Sequence, residues 1–364
     1  MKRVNEMAHT IDMVMDFQYG STGKGLIAGY LAKRGDYDTS VCSFAVNAGH
    51  TYIDKSRGIH LMTQQIPTGA LSSPTVRQVL IGPGSLIHAP TLLDEIKKYG
   101  HLLKDKRILI HPNAAVIEEY HTEQEIEWGM AKIGSTVHGV GAAAIERIKR
   151  NPVNPNIAGI RWVGTELEQY VATPEQYRLA LNRAENILIE GAQGFSLSMY
   201  HGQYPYTTSR DVTPWQIAAD CGLPFRWASY IKVIGSMRCF PIRVNNRTGS
   251  SGPCYPDQEE ISFDDLGVEP EFTTVTKLKR RIFTFSQQQA MEAAFHCGGY
   301  WDTRVFLNFA NYTDGTAELL EIIDKVESFS DINGNPPDVA WIGFGPDDGD
   351  VDTMEEYNNE SAGA

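Results

Sequence analysis

FQYGSTGKGL, residues 17–26, is the stretch on which the fold turns. An apolar run from Ile11 to Phe17 precedes it, and Leu26, Ile27, Tyr30 and Leu31 follow at helical spacing as far as Gly35, so it reads as strand, glycine loop, helix. Gly20, Gly23 and Gly25 let the backbone come close to an anion, and Lys24 adds a point charge near a helix N-terminus. The spacing is not that of a Walker A loop, because Gly20 stands only three residues before Gly23 and Lys24 is followed by Gly25 instead of Ser or Thr.

Strand-like runs recur outward from this loop: TSVCSFAV leading into NAGHT at 47–51, then RILIH, NILIEGAQG, YIKVIGSM, RVFLNFAN and VAWIGFG, with helical stretches between them. That alternation predicts an α/β fold, a mainly parallel sheet flanked by helices, with ligands at the loops beyond the strands' C-terminal ends. Residues 245–257, rich in Gly, Pro and Ser, read as a loop, but strands resume after it, so 1–364 is taken as a single elaborated domain. The acidic run from Asp347 to Glu360 reads as a solvated tail.

A formal charge of −13 argues against binding nucleic acid polymers, whose phosphate backbones need a basic face. No apolar run is long enough to span a bilayer and MKRVNEMAHT lacks a secretory apolar segment, which predicts a cytoplasmic protein. The five cysteines, Cys42, Cys221, Cys239, Cys254 and Cys297, are scattered without a C-x-x-C pair and read as free thiols, not as a disulfide or zinc framework.

Four further segments are IGSTVHGVG at 133–141, EGAQG at 190–194, HGQYPYTTS at 201–209 and GFGPD at 343–347. Taken in order with GSTGKG and NAGHT, they resemble the adenylosuccinate synthetase family over nearly the whole chain. The resemblance implies that family's P-loop-like fold and its two-step reaction, in which a purine 6-oxygen takes the γ-phosphate of a nucleoside triphosphate and the amine of L-aspartate then displaces it as phosphate. An oxo group does not leave as oxide but does leave as phosphate, provided that Mg²⁺ and fixed donors stabilise the transferring group.

Carried over by position, the resemblance implies catalytic roles for Ser21, Lys24, His50 and Gln193, with His50 as the acid near the phosphoryl group and the 6-oxygen. Ser21, Asn47, Ser135, Thr136, Gln193 and Thr208 would hold the acceptor nucleotide, and Arg150 would reach its phosphate from a neighbouring subunit, which implies a homodimer. Gly23, Lys24, Gly25, Gly49, His50, Thr51, Gly343, Gly345 and Pro346 would hold the donor, with Ser21 and the Gly49 carbonyl toward Mg²⁺.

Three departures narrow the expectation. The family's G-D-E-G reads Gly20-Ser21-Thr22-Gly23, so the aspartate that takes the purine N1 proton and ligates Mg²⁺ is absent. A shorter hydroxyl opens room beside N1 and offers an acceptor to a 2-amino group, which guanine carries. In EFTTVTKLKRRIF, 271–283, Thr274, Thr276 and Arg280 remain for the aspartate carboxylates, while Leu278 replaces the first arginine and suits a sugar without a 2′-hydroxyl. The guanine-reading T-K-x-D is Asn308-Phe309-Ala310-Asn311, and an amide at 311 matches adenine, so the donor is expected to be ATP or dATP. Together the departures are similar to a branch of the family from bacteriophages that replace adenine by 2,6-diaminopurine, which carries GSTGKG and joins dGMP to aspartate. The alternatives are an ordinary adenylosuccinate synthetase acting on IMP and a non-catalytic nucleotide-binding regulator; a simple nucleotide kinase is disfavoured by the missing Walker spacing.

Overall fold

The computed structural model describes residues 10–246, 250–273, 277–298, 303–328 and 336–363, with residues 360–363 described by backbone only. Its centre is a nine-stranded sheet. In chain order the strands are β1 (Thr10–Asp16), β2 (Thr39–Cys42), β3 (Gln78–Ile81), β4 (Arg107–Ile110), β5 (Asn186–Gly194), β6 (Ile231–Arg238), β7 (Arg304–Asn308), β8 (Asp338–Gly343) and β9 (Val351–Thr353). Across the sheet they run β9-β8-β7-β6-β1-β5-β2-β3-β4, and every pair is parallel except β8 with β9.

β1 lies at the middle, paired with β5 from Thr10↔Asn186 and with β6 from Ile11↔Ile231. It is covered on both faces: Ile11, Met13 and Met15 join one apolar cluster with Ile189, Val233 and Phe285, while Val14 joins the opposite cluster with Ile27, Phe44 and Leu188. Burial on both sides is why the strands read as continuous apolar runs and not as alternating ones. The expected strands are all present. β3, QVLI, escaped the sequence reading because it is four residues long and lies in a segment punctuated by Ser and Pro.

Since neighbours are parallel, the loops after β8, β7, β6, β1, β5 and β2 leave the same edge side by side. Those loops and the strand ends leading into them contain GFGPD, NFAN, the residues after Arg238, GSTGKG, EGAQG and NAGHT. Motifs hundreds of residues apart therefore meet because of strand order alone.

The acidic C-terminal run is not a solvated tail. Asp348 is buried, its carboxylate receiving Arg34 at 2.8 and 3.0 Å, Lys33 at 2.8 Å and the Tyr52 hydroxyl at 2.9 Å. Lys33 and Arg34 end helix α1 (Lys24–Arg34), where cations are favoured, and they turn a run of like charge into paired contacts. Val351–Thr353 then closes the sheet edge as β9, and Met354–Gly363 is helical.

Candidate active site

The glycine loop is built around Asp16, the last residue of β1, which has no exposed surface. Its Oδ1 accepts the backbone N–H groups of Gln18 (2.8 Å) and Gly20 (3.2 Å), and its Oδ2 accepts the Thr22 hydroxyl (2.7 Å) and the Lys24 ammonium (3.1 Å). Four donors satisfy the buried carboxylate, and its charge is balanced by Lys24. Thr22 thus faces inward, to the floor of the loop, while Ser21 faces the surface.

The loop's carbonyls are held from behind. Ser21 O accepts Arg238 Nη1 at 3.1 Å, and Thr22 O accepts Asn308 Nδ2 and Ser236 Oγ, each at 3.1 Å. With these two carbonyls held by the sheet and the Gly20 N–H held by Asp16, the N–H groups that follow Gly20 are the ones left for an anion at the start of α1. Ser21 pays for this with a left-handed backbone, φ 57°, which disfavours a side-chain-bearing residue by about 1–2 kcal/mol. The hydrogen bond from the charged guanidinium, worth about 1.5–3 kcal/mol, is large enough to hold it there.

Gly25 has a steric reason of its own. A Cβ on it would stand 2.8 Å from the carbonyl oxygen of Thr51 and 2.9 Å from its nitrogen, so only glycine lets the NAGHT segment lie on the first turn of α1. That contact brings His50 beside the loop. The imidazole is 3% exposed, stacks on Phe44 with centroids 4.1 Å apart, and its Nδ1 lies 2.8 Å from Glu190 Oε1. Glu190, itself fully buried, also accepts the Thr68 hydroxyl at 3.1 Å. The opposite ring nitrogen, Nε2, is buried and has no protein partner. A carboxylate holding Nδ1–H fixes the ring and leaves Nε2 as the working atom.

Two amides join NAGHT to EGAQG: Gln193, also left-handed at φ 66°, donates from Nε2 to Asn47 Oδ1 at 3.2 Å. Gly49 and Thr51 are exposed, and nothing lies within 4 Å of the place a Cβ would take on Gly49. Thr208 is fixed through its N–H on Leu197 O at 2.7 Å. Ser135 Oγ accepts the N–H of Val137 at 3.2 Å, and Ser135 and Thr136 are half-buried in the turn before the helix Val140–Lys149. Glu125 caps that helix through Gly139 N (2.8 Å) and Gly141 N (2.7 Å). Arg150 ends the same helix, so about 15 Å of helix separates it from the Ser135 turn, and within one chain the structure does not bring them together.

On the donor side, the Asn308 amide is spent within the protein: Nδ2 holds Thr22 O, and Oδ1 accepts Phe309 N at 2.8 Å. Asn311 is exposed, and Phe309 lies against the Arg238 guanidinium, 3.4 Å from ring centroid to Cζ. Gly343 ends β8 and Gly345 and Pro346 follow it, with Phe344 N on Asp350 O at 2.9 Å and Asp347 Oδ2 accepting Lys55 N at 2.9 Å. Arg280 is half-buried and donates its backbone N–H to Glu271 O at 2.8 Å; Thr274 and Thr276 lie outside the described residues.

Sequence reasoning passed over Asp16, Glu190 and Arg238. Glu190 stood inside the quoted EGAQG, and a carboxylate in a strand otherwise apolar was the signal. Asp16 carried the same signal at the end of β1. Arg238 had none beyond being a charge at the end of an apolar run.

The chain that carries this glycine loop, oriented histidine and set of amides matches the family model for adenylosuccinate synthetase over residues 13–157 and 152–303. The chain belongs to the adenylosuccinate synthetase family. It is 44% identical to the N6-succino-2-amino-2′-deoxyadenylate synthase of Vibrio phage phiVC8, across 95% of this chain and 98% of that protein. With the protein of the same name from Acinetobacter phage SH-Ab 15497 it shares 41% identity, across 94% and 93% of the two chains. Its fold superposes with a TM-score of 0.88 on the succinoaminodeoxyadenylate synthetase of cyanophage S-2L, solved with dGMP and with dATP as an energy donor, at 41% identity and covering 98% and 99% of the two chains.

Proposed function

We propose that this family member is a carbon-nitrogen ligase that condenses dGMP with L-aspartate, using ATP or dATP, to give 2-amino-2′-deoxy-N6-succinyladenylate, ADP or dADP, and phosphate. The observation that carries the reading is Ser21: a small hydroxyl at the exposed surface of the glycine loop, where the family has an aspartate. The names of the phage relatives and the ligands of the cyanophage structure support it.

In the first step the guanine N1 proton passes to substrate aspartate, water or a phosphate oxygen, the 6-oxygen attacks the γ-phosphorus, and the bond to the donor's β-γ bridging oxygen breaks. In the second, the aspartate nitrogen bonds to C6 and the C6–O bond breaks, releasing phosphate. Lys24 and the loop N–H groups bind the transferring phosphate, and Lys24 exchanges Asp16 for it. His50, its ring fixed by Glu190, acts through Nε2 at the 6-oxygen, while Gln193 and Asn47 orient the purine.

Among the described residues no three His, Cys, Asp or Glu side chains form a metal cluster. Ser21 and Gly49 present one exposed hydroxyl and one carbonyl, a sparse set that fits Mg²⁺, which keeps its waters and takes most other ligands from phosphates. Held by Ser21, Gly49 and the donor phosphates, Mg²⁺ would neutralise charge on the transferring group. Arg150 is assigned to the acceptor phosphate of a partner subunit in a homodimer; Ile148 and Val153 beside it are 73% and 91% exposed, an apolar flank suited to being covered.

The test is phosphate release by the purified protein, which should require dGMP and aspartate together. Release with IMP and none with dGMP would replace this reading by an ordinary adenylosuccinate synthetase. Nucleotide binding without turnover in any mixture would make the protein a regulator.

A further inference from the structure

Residues 63–69, TQQIPTG, touch the His50–Glu190 pair at both ends and belong to none of the motifs read from the sequence. At the start Thr63 stands opposite His50, where the strand His50–Asp54 pairs with Ile59–Thr63. At the end the Thr68 hydroxyl lies 3.1 Å from both carboxylate oxygens of Glu190 and 2.9 Å from Gly25 O in the first turn of α1, and the Gly69 N–H points to Glu190 Oε2 at 3.4 Å. Thr68 and Glu190 have no exposed surface, so bulk solvent does not replace a donor lost there.

Between its ends the segment has left the strand pair, and Glu95 holds it from the helix Ala89–Lys98. Glu95 Oε1 accepts the N–H of Gln64 at 2.5 Å, and Oε2 accepts those of Gln65 at 3.1 Å and Ile66 at 2.9 Å. Three successive peptide groups thus converge on one buried carboxylate. The segment's own side chains add little: the Gln64 amide donates to Val46 O at 2.6 Å, but Thr63 Oγ1 and both amide atoms of Gln65 are buried with no hydrogen-bond partner among the described residues. Burial pushes the Glu95 carboxyl up to about 7, against the three N–H groups and Lys98, and above that pH it is an anion with two oxygens to share among three donors.

We propose that Glu95 is a positioning residue for the His50–Glu190 pair: by fixing the peptide groups of Gln64, Gln65 and Ile66 it keeps Thr68 and Gly69 on Glu190, and Glu190 in turn keeps a proton on His50 Nδ1. Glutamine in its place offers one acceptor oxygen and an amide that is itself a donor, so one or more of the three N–H groups is left facing a donor. The segment then shifts at its Thr68 end, which no strand pairing holds, and the imidazole loses its fixed orientation.

The test reads His50 by NMR of nitrogen-labelled histidine at about pH 8, above the Glu95 value; His50 is assigned by the resonances missing in His50→Asn. Nδ1 should be protonated throughout the population in the unmodified protein. Glu95→Gln and the nearly isosteric Thr68→Val should each create a population with Nδ1 unprotonated, and joining them should add little to the larger single effect, because both act through one route. Tyr99→Phe is the comparison. The Tyr99 hydroxyl holds Met62 N at 2.9 Å and Met62 O at 3.0 Å, but Met62 is already paired with Thr51, so this loss should leave the Nδ1 proton and kcat unchanged. A kinetic arm rests on the function proposed above: kcat should fall about tenfold in Glu95→Gln with KM for dGMP and ATP within about twofold, the mark of reacting groups misplaced and not removed. Nδ1 fully protonated in Glu95→Gln, or in Thr68→Val where Glu95→Gln does not fold, overturns the proposal, and so does an equal effect of Tyr99→Phe. The NMR readout needs no turnover, so a protein that acts on IMP or on no mixture overturns the proposed function and not this inference.

Discussion

Replacing Ser21 by alanine isolates what its hydroxyl contributes. The side chain is exposed and the backbone is held through its carbonyl by Arg238, so Ser21→Ala should leave stability within about 0.5 kcal/mol of the parent. If the hydroxyl accepts a hydrogen bond from the guanine 2-amino group, its loss costs about 0.5–1.5 kcal/mol, or roughly 2- to 12-fold in kcat/KM for dGMP. dIMP differs from dGMP only in lacking that amino group, so its kcat/KM should lose only what the hydroxyl contributes to Mg²⁺ and fall less than that for dGMP. Ser21→Asp works in the opposite sense. Aspartate tolerates the left-handed backbone, but its longer side chain overlaps the 2-amino position, and overpacking of about 1–3 kcal/mol predicts a roughly 5- to 150-fold loss for dGMP while dIMP is spared. The assay is continuous phosphate release at subsaturating acceptor with saturating ATP and aspartate. Equal losses for dGMP and dIMP in Ser21→Ala would refute the reasoning, because the hydroxyl would then serve the metal or the phosphate and not the purine's C2 substituent.

Glu190→Gln should lower kcat by about a hundredfold, with nucleotide KM values little changed, because it removes the carboxylate that holds His50 without touching ligand; steady-state kinetics check it. Asn311→Asp should shift donor preference from ATP toward GTP by about ten- to a hundredfold, the worth of a charged acceptor for guanine at about 1.5–3 kcal/mol, measured by competing donors. The Asp54 carboxyl is drawn down to about 2, since Lys33, Ser56 and the Arg57 N–H together outweigh the opposing effect of burial, and Asp348 is also held below its ordinary range by Arg34, Lys33 and Tyr52 against burial. Folded values below unfolded ones mean that this stability is complete above about pH 4 and is lost as pH falls through about 2. Asp54→Asn should flatten the acid limb of a thermal-denaturation profile over that window.

The order of elements was legible because each buried strand is an apolar run and each loop after it carries small residues that only an anion site or a tight turn requires. The neighbour order across the sheet was not, since nothing local in β1 says that β5 and β6 will flank it. Thr22 shows what this costs at a site. Adjacent hydroxyls in GSTGKG look equivalent in sequence, yet one is fastened to Asp16 beneath the loop and the other is exposed above it. What separates them is a backbone turn at Ser21 stabilised by Arg238, a residue 217 positions away.

Asn308 makes the same point on the donor side. It was read as part of a base-recognition motif, but its amide links Thr22 O to Phe309 N, so its side chain shapes the phosphate loop while the exposed Asn311 remains the group available to an adenine. A polar residue at the end of a parallel strand can serve either the ligand or the neighbouring loop, and adjacency in the sheet decides which. β7 is next to β6, and β6 next to β1, close enough for Asn308 and Arg238 each to reach one carbonyl of the same loop. Ser21, to which the choice of acceptor is ascribed as a proposal, and Phe309 are thereby held by Arg238 and Asn308 from behind the loop.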